Sequence, residues 1–371
     1  MRIEPSIREN DAHMPAIWRI LATLLCDSTV CQADLRARTG LSHPVVVQQV
    51  AQLRRSGLIL FGHPQGGVTG RPRIPITFNW EFRRLLAVEV HPHGITFQAT
   101  NLSGQPIGEP ETRPRPTWTQ DGVNAALFGV IREALQLPGP PWAGIGVVLP
   151  AAIAADRRTL VSWLDIPAWH DDPLGNRLTD EFNLPIFLYN EAEALARSVW
   201  AEEAEIPHSI MAISVRQDLR TMMAVMSAAC TGYVTDGPFG TIGHLPVSDS
   251  GPKCAYCGTS CLDAAFCASR EQPSLRLEAV QALANVAADM VTIFNPGRLV
   301  LQGDEAWTPQ DTATVRSVLQ ARAFPGAGQG LLLEDHPYRA TENLVGVASA
   351  LAGQLLNLSD GRLNEWAMLL A

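Results

Sequence analysis

No run of eighteen apolar residues occurs in the 371-residue chain, which removes a membrane span of ordinary length from the expectations. The first thirteen residues, MRIEPSIRENDAH, lack the basic and then apolar blocks of a secretory leader. A cytoplasmic protein is therefore expected, in a compartment where disulfides are rare and clustered cysteines more often hold metal. Lysine is almost missing: Lys253 is its single instance among 28 basic residues, so positive charge here is guanidinium charge. There is no internal sequence repeat and no low-complexity tract. Only 18% of residues are charged while 46% are hydrophobic, which allows sizeable cores, and the length suggests two or three domains.

The charge is unevenly placed. Residues 1–84 hold eleven Arg against six Asp or Glu, a net of +5, which leaves −14 for the rest of a chain whose total is −9. A small basic head on a large acidic body points to a polyanion as the head's partner.

The head reads as helices. AIWRILATLLC places Ile17, Ile20, Leu21, Leu24 and Leu25 on one face. QADLRARTG ends at Gly40, suited to a left-handed C-terminal position. Ser42 is the candidate N-cap of a third helix with Pro44 in its first turn. That helix, HPVVVQQVAQLRRSG, turns Val46, Val50 and Leu53 inward and Val45, Gln48, Gln49 and Gln52 outward. Two helices joined by a tight Gly-containing turn make a helix-turn-helix unit. In LILFGHPQGGVTGRPRIPITFN, two apolar runs flank a Gly/Pro-rich hairpin, the pattern of a wing. The candidate contacts to double-stranded DNA are Ser42, His43, Val45, Gln48, Gln49 and Arg54 around the third helix, with Arg71 and Arg73 on the wing. Glutamines suit adenine edges, Val45 a thymine methyl, and the wing arginines phosphates or a minor groove. Any small three-helix domain would bury such faces, so charge, turn, wing and position carry the reading together.

From Arg84 the texture changes to alternating strands and helices, in two blocks of roughly 84–190 and 208–357. Two α/β lobes with a ligand-binding cleft between them fit that order. Within the second block, Cys254, Cys257 and Cys261 follow His244 by ten, thirteen and seventeen residues. One imidazole and three thiolates suit tetrahedral, structural zinc with no position left for water. The alternative is three reduced thiols in a surface loop, with His244 engaged elsewhere. Cys267 is a spare ligand, and Cys26, Cys31 and Cys230 read as packing residues.

Head and body together resemble the ROK family of repressors, open reading frames and sugar kinases, from about Ile17 to the C-terminal helix. The most specific piece is GH…CAYCGTSCLD, similar to the family's G-H followed by C-x-C-G-x-x-G-C-x-E. The outer cysteines keep the family register, the middle one is displaced by one residue, and Ser260 stands for the second Gly. GLSHPVVVQQVAQLRRSGLI, TGRP, DIPAWHDDPLGNRL, LPIFLYNEAEALA and FNPGRLVLQGD also match. The resemblance implies an α/β, two-lobed, actin-like (ribonuclease H-like) body over 83–371, preceded by a winged helix-turn-helix domain over 1–82. One lobe would take about 84–190 plus the C-terminal helix, the other about 191–345. By the same resemblance, sugar contacts fall at Asp165, Asn190, Glu191, Thr241, His244 and Asp263; Thr241 and Asp165 depart from the family's residues, and Glu191 and Asp263 keep the charge at altered length. The kinases' catalytic base falls at Glu191. Their two phosphate grips fall at EVHPHGIT, with His91 and Pro92, and at SVRQDLRTMMA, which has no glycine and carries Arg216, Gln217, Asp218 and Arg220. Phosphates need bare backbone there, so no ATP-dependent enzyme is expected. The expectation is a cytoplasmic homodimeric or homotetrameric repressor of carbohydrate-related genes, binding an operator and sensing a sugar-like effector. The alternatives are control by a protein partner, a sugar kinase with an added head, and a head that binds protein.

Overall fold

The apolar spacing of the head produces the helices it predicts. α1 (Ala16–Cys26) buries Ile20, Leu21, Leu24 and Leu25, and Trp18 joins them. α2 (Gln32–Thr39) begins at Cys31, whose N–H donates to Asp34 Oδ2 at 2.9 Å, and ends at Gly40 with φ +66°. α3 (His43–Arg55) packs Val46, Val50 and Leu53 against the other two. Ser42 is at its N-cap position but makes no side-chain capping bond, contrary to expectation; its extended backbone and Pro44 start the helix instead. β1 (Ile59–Phe61) and β2 (Ile76–Phe78) pair antiparallel, Ile59 opposite Phe78, and Val30 bridges Ile76. This is a winged helix-turn-helix. A computed structural model describes residues 15–27, 29–64, 73–163, 166, 168–202, 209–216, 221–227, 240–303, 306–323, 326 and 330–356. Arg71, Asp165, Gln217, Asp218, Arg220 and Cys230 lie outside them, as does the side chain of Cys26.

The body starts with a five-stranded sheet. Its meander is β3 (Arg84–His91), β4 (Gly94–Asn101) and β5 (Pro106–Pro114), followed by α4 (Gln120–Leu135) and β6 (Trp142–Leu149). The short strands β7 (Ala152–Ile153), β8 (Leu160–Ser162) and β9 (His170–Asp172) form a separate flap before α5 (Leu174–Phe182) and β10 (Ile186–Asn190). The order is β10-β6-β3-β4-β5, with β3, β6 and β10 parallel. α6 (Glu191–Glu202) leads to the second sheet.

That sheet uses β11 (Ser209–Val215) and β12 (Met222–Ser227), then, beyond the small hairpin β13 (Pro246–Ser248) and β14 (Ser260–Cys261), α7 (Leu262–Glu271), α8 (Arg276–Phe294), β15 (Arg298–Gly303), α9 (Pro309–Arg322) and β16 (Leu332–Pro337). Its described order is β12-β11-β15-β16, again an antiparallel hairpin flanked by two parallel strands. β4-β3-β6-β10 has the same layout, so the topology repeats although the sequence does not. α10 (Ala340–Leu356) packs on β3 and β6 and on α6, which itself covers β11 and β12. Gly346 permits that contact, because a Cβ there would lie 1.8 Å from Ala194 O. The opposite faces are covered by α4 and α5 on the first sheet and α7, α8 and α9 on the second.

α8 with its preceding turn, Pro273–Phe294, is by length and composition long and apolar enough to cross a bilayer. Its Ala279, Val280, Leu283, Ala284, Ala287 and Val291 are instead in the second lobe's core.

Candidate functional site

Three places carry the polar groups singled out by sequence: the head's outer surface, the cysteine loop, and the ends of strands where the two sheets meet. On α3, Ser42, His43 and Gln48 are exposed, and Val45 and Gln49 half-buried, so one face of the helix is open. Arg54 Cζ lies 4.5 Å from the centre of the Phe61 ring, which ties the helix end to the wing. Arg73 is exposed at the wing's return strand.

The cysteine loop hangs between β13 and β14, where Pro246 pairs with Cys261. The ligand atoms of His244, Cys254, Cys257 and Cys261 all lie within 4.8 Å of one another. His244 Nδ1 is 3.9 Å from Cys254 Sγ and 3.7 Å from Cys261 Sγ. A zinc tetrahedron with bonds of about 2.3 Å to sulfur and about 2.0 Å to nitrogen has edges of comparable length. The donor set and spacing therefore fit such an ion. Cys257, shifted in sequence, stays in the group through a tight C-x-x-C-G turn. Tyr256 N–H donates to Cys254 Sγ at 3.4 Å, Gly258 N–H to Cys254 O at 2.9 Å, and Gly258 sits at φ +70°. Burial pushes the Cys261 thiol up to about 12, so its thiolate needs a cation beside it. The extra residue of the loop puts the exposed Tyr256 ring parallel to His244, centroids 5.4 Å apart. Cys267 is not in the group; its sulfur accepts from Arg270 Nη2 at 3.4 Å.

The expected sugar contacts divide between two structural jobs. Asn190 Oδ1 accepts Glu193 N–H at 2.8 Å and so caps α6. Glu191 Oε2 accepts Arg216 Nη1 at 2.6 Å and its Oε1 accepts Ser214 Oγ at 3.2 Å. Asp263 Oδ1 accepts Thr221 N–H at 2.9 Å, while its carboxylate lies against Gly243, where a Cβ would be 2.1 Å from Oδ1. Thr241 opens the 3-10 turn Ile242–His244. Asp263 and His244 thus sit side by side near the cysteine loop, and Asn190 and Glu191 at the end of β10. Arg216 and Thr221, at facing ends of β11 and β12, link the two pairs.

Sequence reasoning missed how Glu191 is neutralised. Arg216 is buried, with its guanidinium 3.7 Å from the centre of the Tyr338 ring. Tyr338 Oη and Asn343 Nδ2 donate to Glu89 Oε1 at 2.9 and 2.8 Å. Burial raises Glu89 to about 7 against the pull of Arg216. His91 is buried at the end of β3, hydrogen bonded through Nε2 to Thr96 Oγ1 at 2.8 Å, and burial lowers it to about 4, so it is neutral. His91 and Arg216 are the bulky residues that sequence placed at the two phosphate grips. The ion pair could have been sought from Glu191 alone, since a buried carboxylate demands a partner, but the distance of 25 residues hides which one.

A family model described as "ROK family" matches residues 85–271. A xylose repressor from Bacillus subtilis is 25% identical over 244 residues, 64% of this chain and 62% of that protein. The match thus covers under two thirds of that relative's own length. Among solved structures, a ROK family transcriptional regulator described as a homologue of the E. coli MLC protein superposes with a TM-score of 0.70 at 16% identity, covering 95% of this chain and 98% of the other. A ROK hexokinase from Thermus thermophilus gives 0.57 at 21% identity, over 72% and 97%.

Proposed function

Because the chain belongs to the ROK family, we propose that it is a DNA-binding transcriptional repressor of carbohydrate-related genes, acting in the cytoplasm as a symmetric homodimer or homotetramer. The observation that carries this reading is a winged helix-turn-helix with an open α3 face joined to a ROK body. Ser42, His43, Val45, Gln48 and Gln49 enter the major groove. Arg54, Arg71 and Arg73 hold phosphates, and a dimer sets two heads on half-sites spaced by helical turns. The names borne by the xylose repressor and the regulator support this assignment. The cleft takes a sugar-like ligand among Asp165, Asn190, Glu191, Thr241, His244 and Asp263. Ligand binding shifts the lobes and so the spacing of the heads, because it favours one of two states.

The body is not a kinase in this reading: the family resemblance puts the two phosphate grips at the segments holding His91 and Arg216, both bulky and buried. His244, Cys254, Cys257 and Cys261 would hold one structural zinc, which would supply a cross-link between the loop and the start of α7. Asp263, two residues beyond Cys261, is fixed by that cross-link. A second reading, control by a protein partner, is favoured by Glu191 already being paired with Arg216.

Purified protein mixed with fragments of its own genome tests the assignment. Recovery of a discrete set of promoter fragments, with no ADP release from ATP and common hexoses, is the expected result. Turnover at ordinary enzyme rates with no fragment retained overturns it.

A further inference from the structure

We propose that Arg216 is a built-in competitor for the effector: it occupies Glu191, and a polar ligand gains that carboxylate only by displacing the guanidinium. The inference rests on the ligand-sensing reading of the cleft and concerns how that site is regulated.

Both oxygens of Glu191 are engaged within the protein. Oε2 takes Arg216 and Oε1 takes Ser214, with the ion pair's side chains only 4% and 1% exposed. A sugar hydroxyl therefore meets a buried carboxylate whose two oxygens each already accept a hydrogen bond, the stronger of them charge-assisted. The competitor comes from the other lobe. Glu89 lies near the end of β3 and Glu191 follows β10, both of the first sheet; Arg216 follows β11 and Tyr338 follows β16, both of the second. The contact lies at the carboxyl ends of parallel strands, where ligands of α/β sheets bind. It joins the lobes when no effector is present.

Removing Arg216 without replacement leaves a buried, unpaired carboxylate, which is strongly unfavourable. A ligand that donates two hydroxyls to Glu191 supplies the replacement. Once displaced, the guanidinium retains Glu89 nearby: its charge already acts on Arg216, and its Oε2 is buried with no hydrogen-bond partner among the described residues. Two carboxylates and one guanidinium thus form an element with two arrangements, which is what a switch between lobes needs. If the protein holds the Arg216–Glu191 pair in nine molecules of ten, apparent effector affinity falls by about tenfold.

The test uses the full chain with D-xylose and D-glucose as probes, followed by calorimetry and thermal melts. Arg216→Met is expected to melt lower than the parent, to bind one of the sugars about tenfold more tightly, and to show a larger sugar-induced rise in Tm. Arg216→Lys, which keeps the charge but loses the planar contact on Tyr338, is expected to move the same way by about threefold; it serves if the methionine variant does not fold. Glu191→Gln is expected to lose binding. The inference is overturned if both Arg216 variants bind no more tightly than the parent while Glu191→Gln still abolishes binding, because the ligand then uses Glu191 without displacing Arg216. If no protein in the series binds either sugar, ligand sensing itself fails and the competitor role goes with it.

Discussion

At the scale of single residues, ligand chemistry was readable and ion pairing was not. His244, Cys254, Cys257 and Cys261 stand out because imidazole and thiol at short spacing have few other uses. The displaced middle cysteine looked like a mismatch, yet a C-x-x-C-G turn with Gly258 at φ +70° brings it into the group. Cys257→Ala is therefore expected to lower bound zinc well below one per chain and to reduce Tm by several degrees, as metal binding is folding energy; unchanged zinc by elemental analysis would remove Cys257 from the ligand set. Asn190, expected as a sugar contact, also caps α6 through its Oδ1, a second job that its spacing does not announce. Glu89 gives a pH test. Its folded value of about 7 lies above the ordinary 4.5, so its contribution to stability is fully present at acid pH and is lost as pH rises from there through about 7. Glu89→Gln carries no such loss. In urea melts its stability relative to the parent is expected to rise from pH 5.5 to pH 8, and parallel profiles would show that Glu89 is not the proton holder.

At the scale of elements, periodicity gave the head its three helices and wing, because each buries one apolar face. Capping was less legible: Ser42 has the right position but makes no side-chain bond, a choice of rotamer that spacing does not determine. The repeated layout of the two sheets left no sequence trace, since a strand order constrains only burial patterns that many residues satisfy. Close helix contact is where single glycines matter. Gly346→Ala would drive a Cβ into Ala194 O, forcing α10 away from α6, and is expected to cost about 2 kcal/mol or more. Gly40→Ala meets only Arg19 Nη2 at 3.7 Å, so its cost is the left-handed backbone alone, about 1 kcal/mol. Denaturant melts of both variants rank the two mechanisms; equal losses would mean that the α6–α10 contact relaxes freely.

At the scale of the whole molecule, the division of charge is the property that composition states most plainly and that coordinates alone express least. In the proposed reading, a head of +5 carried almost wholly by Arg, on a body of −14, would bind duplex through counterion release while the body repels it. Affinity for operator DNA is then steeply salt-dependent, falling on the order of 10³-fold between 50 and 200 mM salt if a dimer makes ~6 phosphate contacts. Arg73→Ala removes one such contact per head, so it is expected to weaken binding on all sequences alike and to lower the slope of log affinity against log salt by about 1 per contact. Gln48→Ala lies on the open face of α3 and should leave that slope unchanged while altering which fragments are preferred. Fluorescence anisotropy over a salt series separates the two. If both variants shift affinity equally on operator and random duplex, with no change in slope for Arg73→Ala, neither the wing nor α3 has the role given to it, and the charge asymmetry serves some other contact.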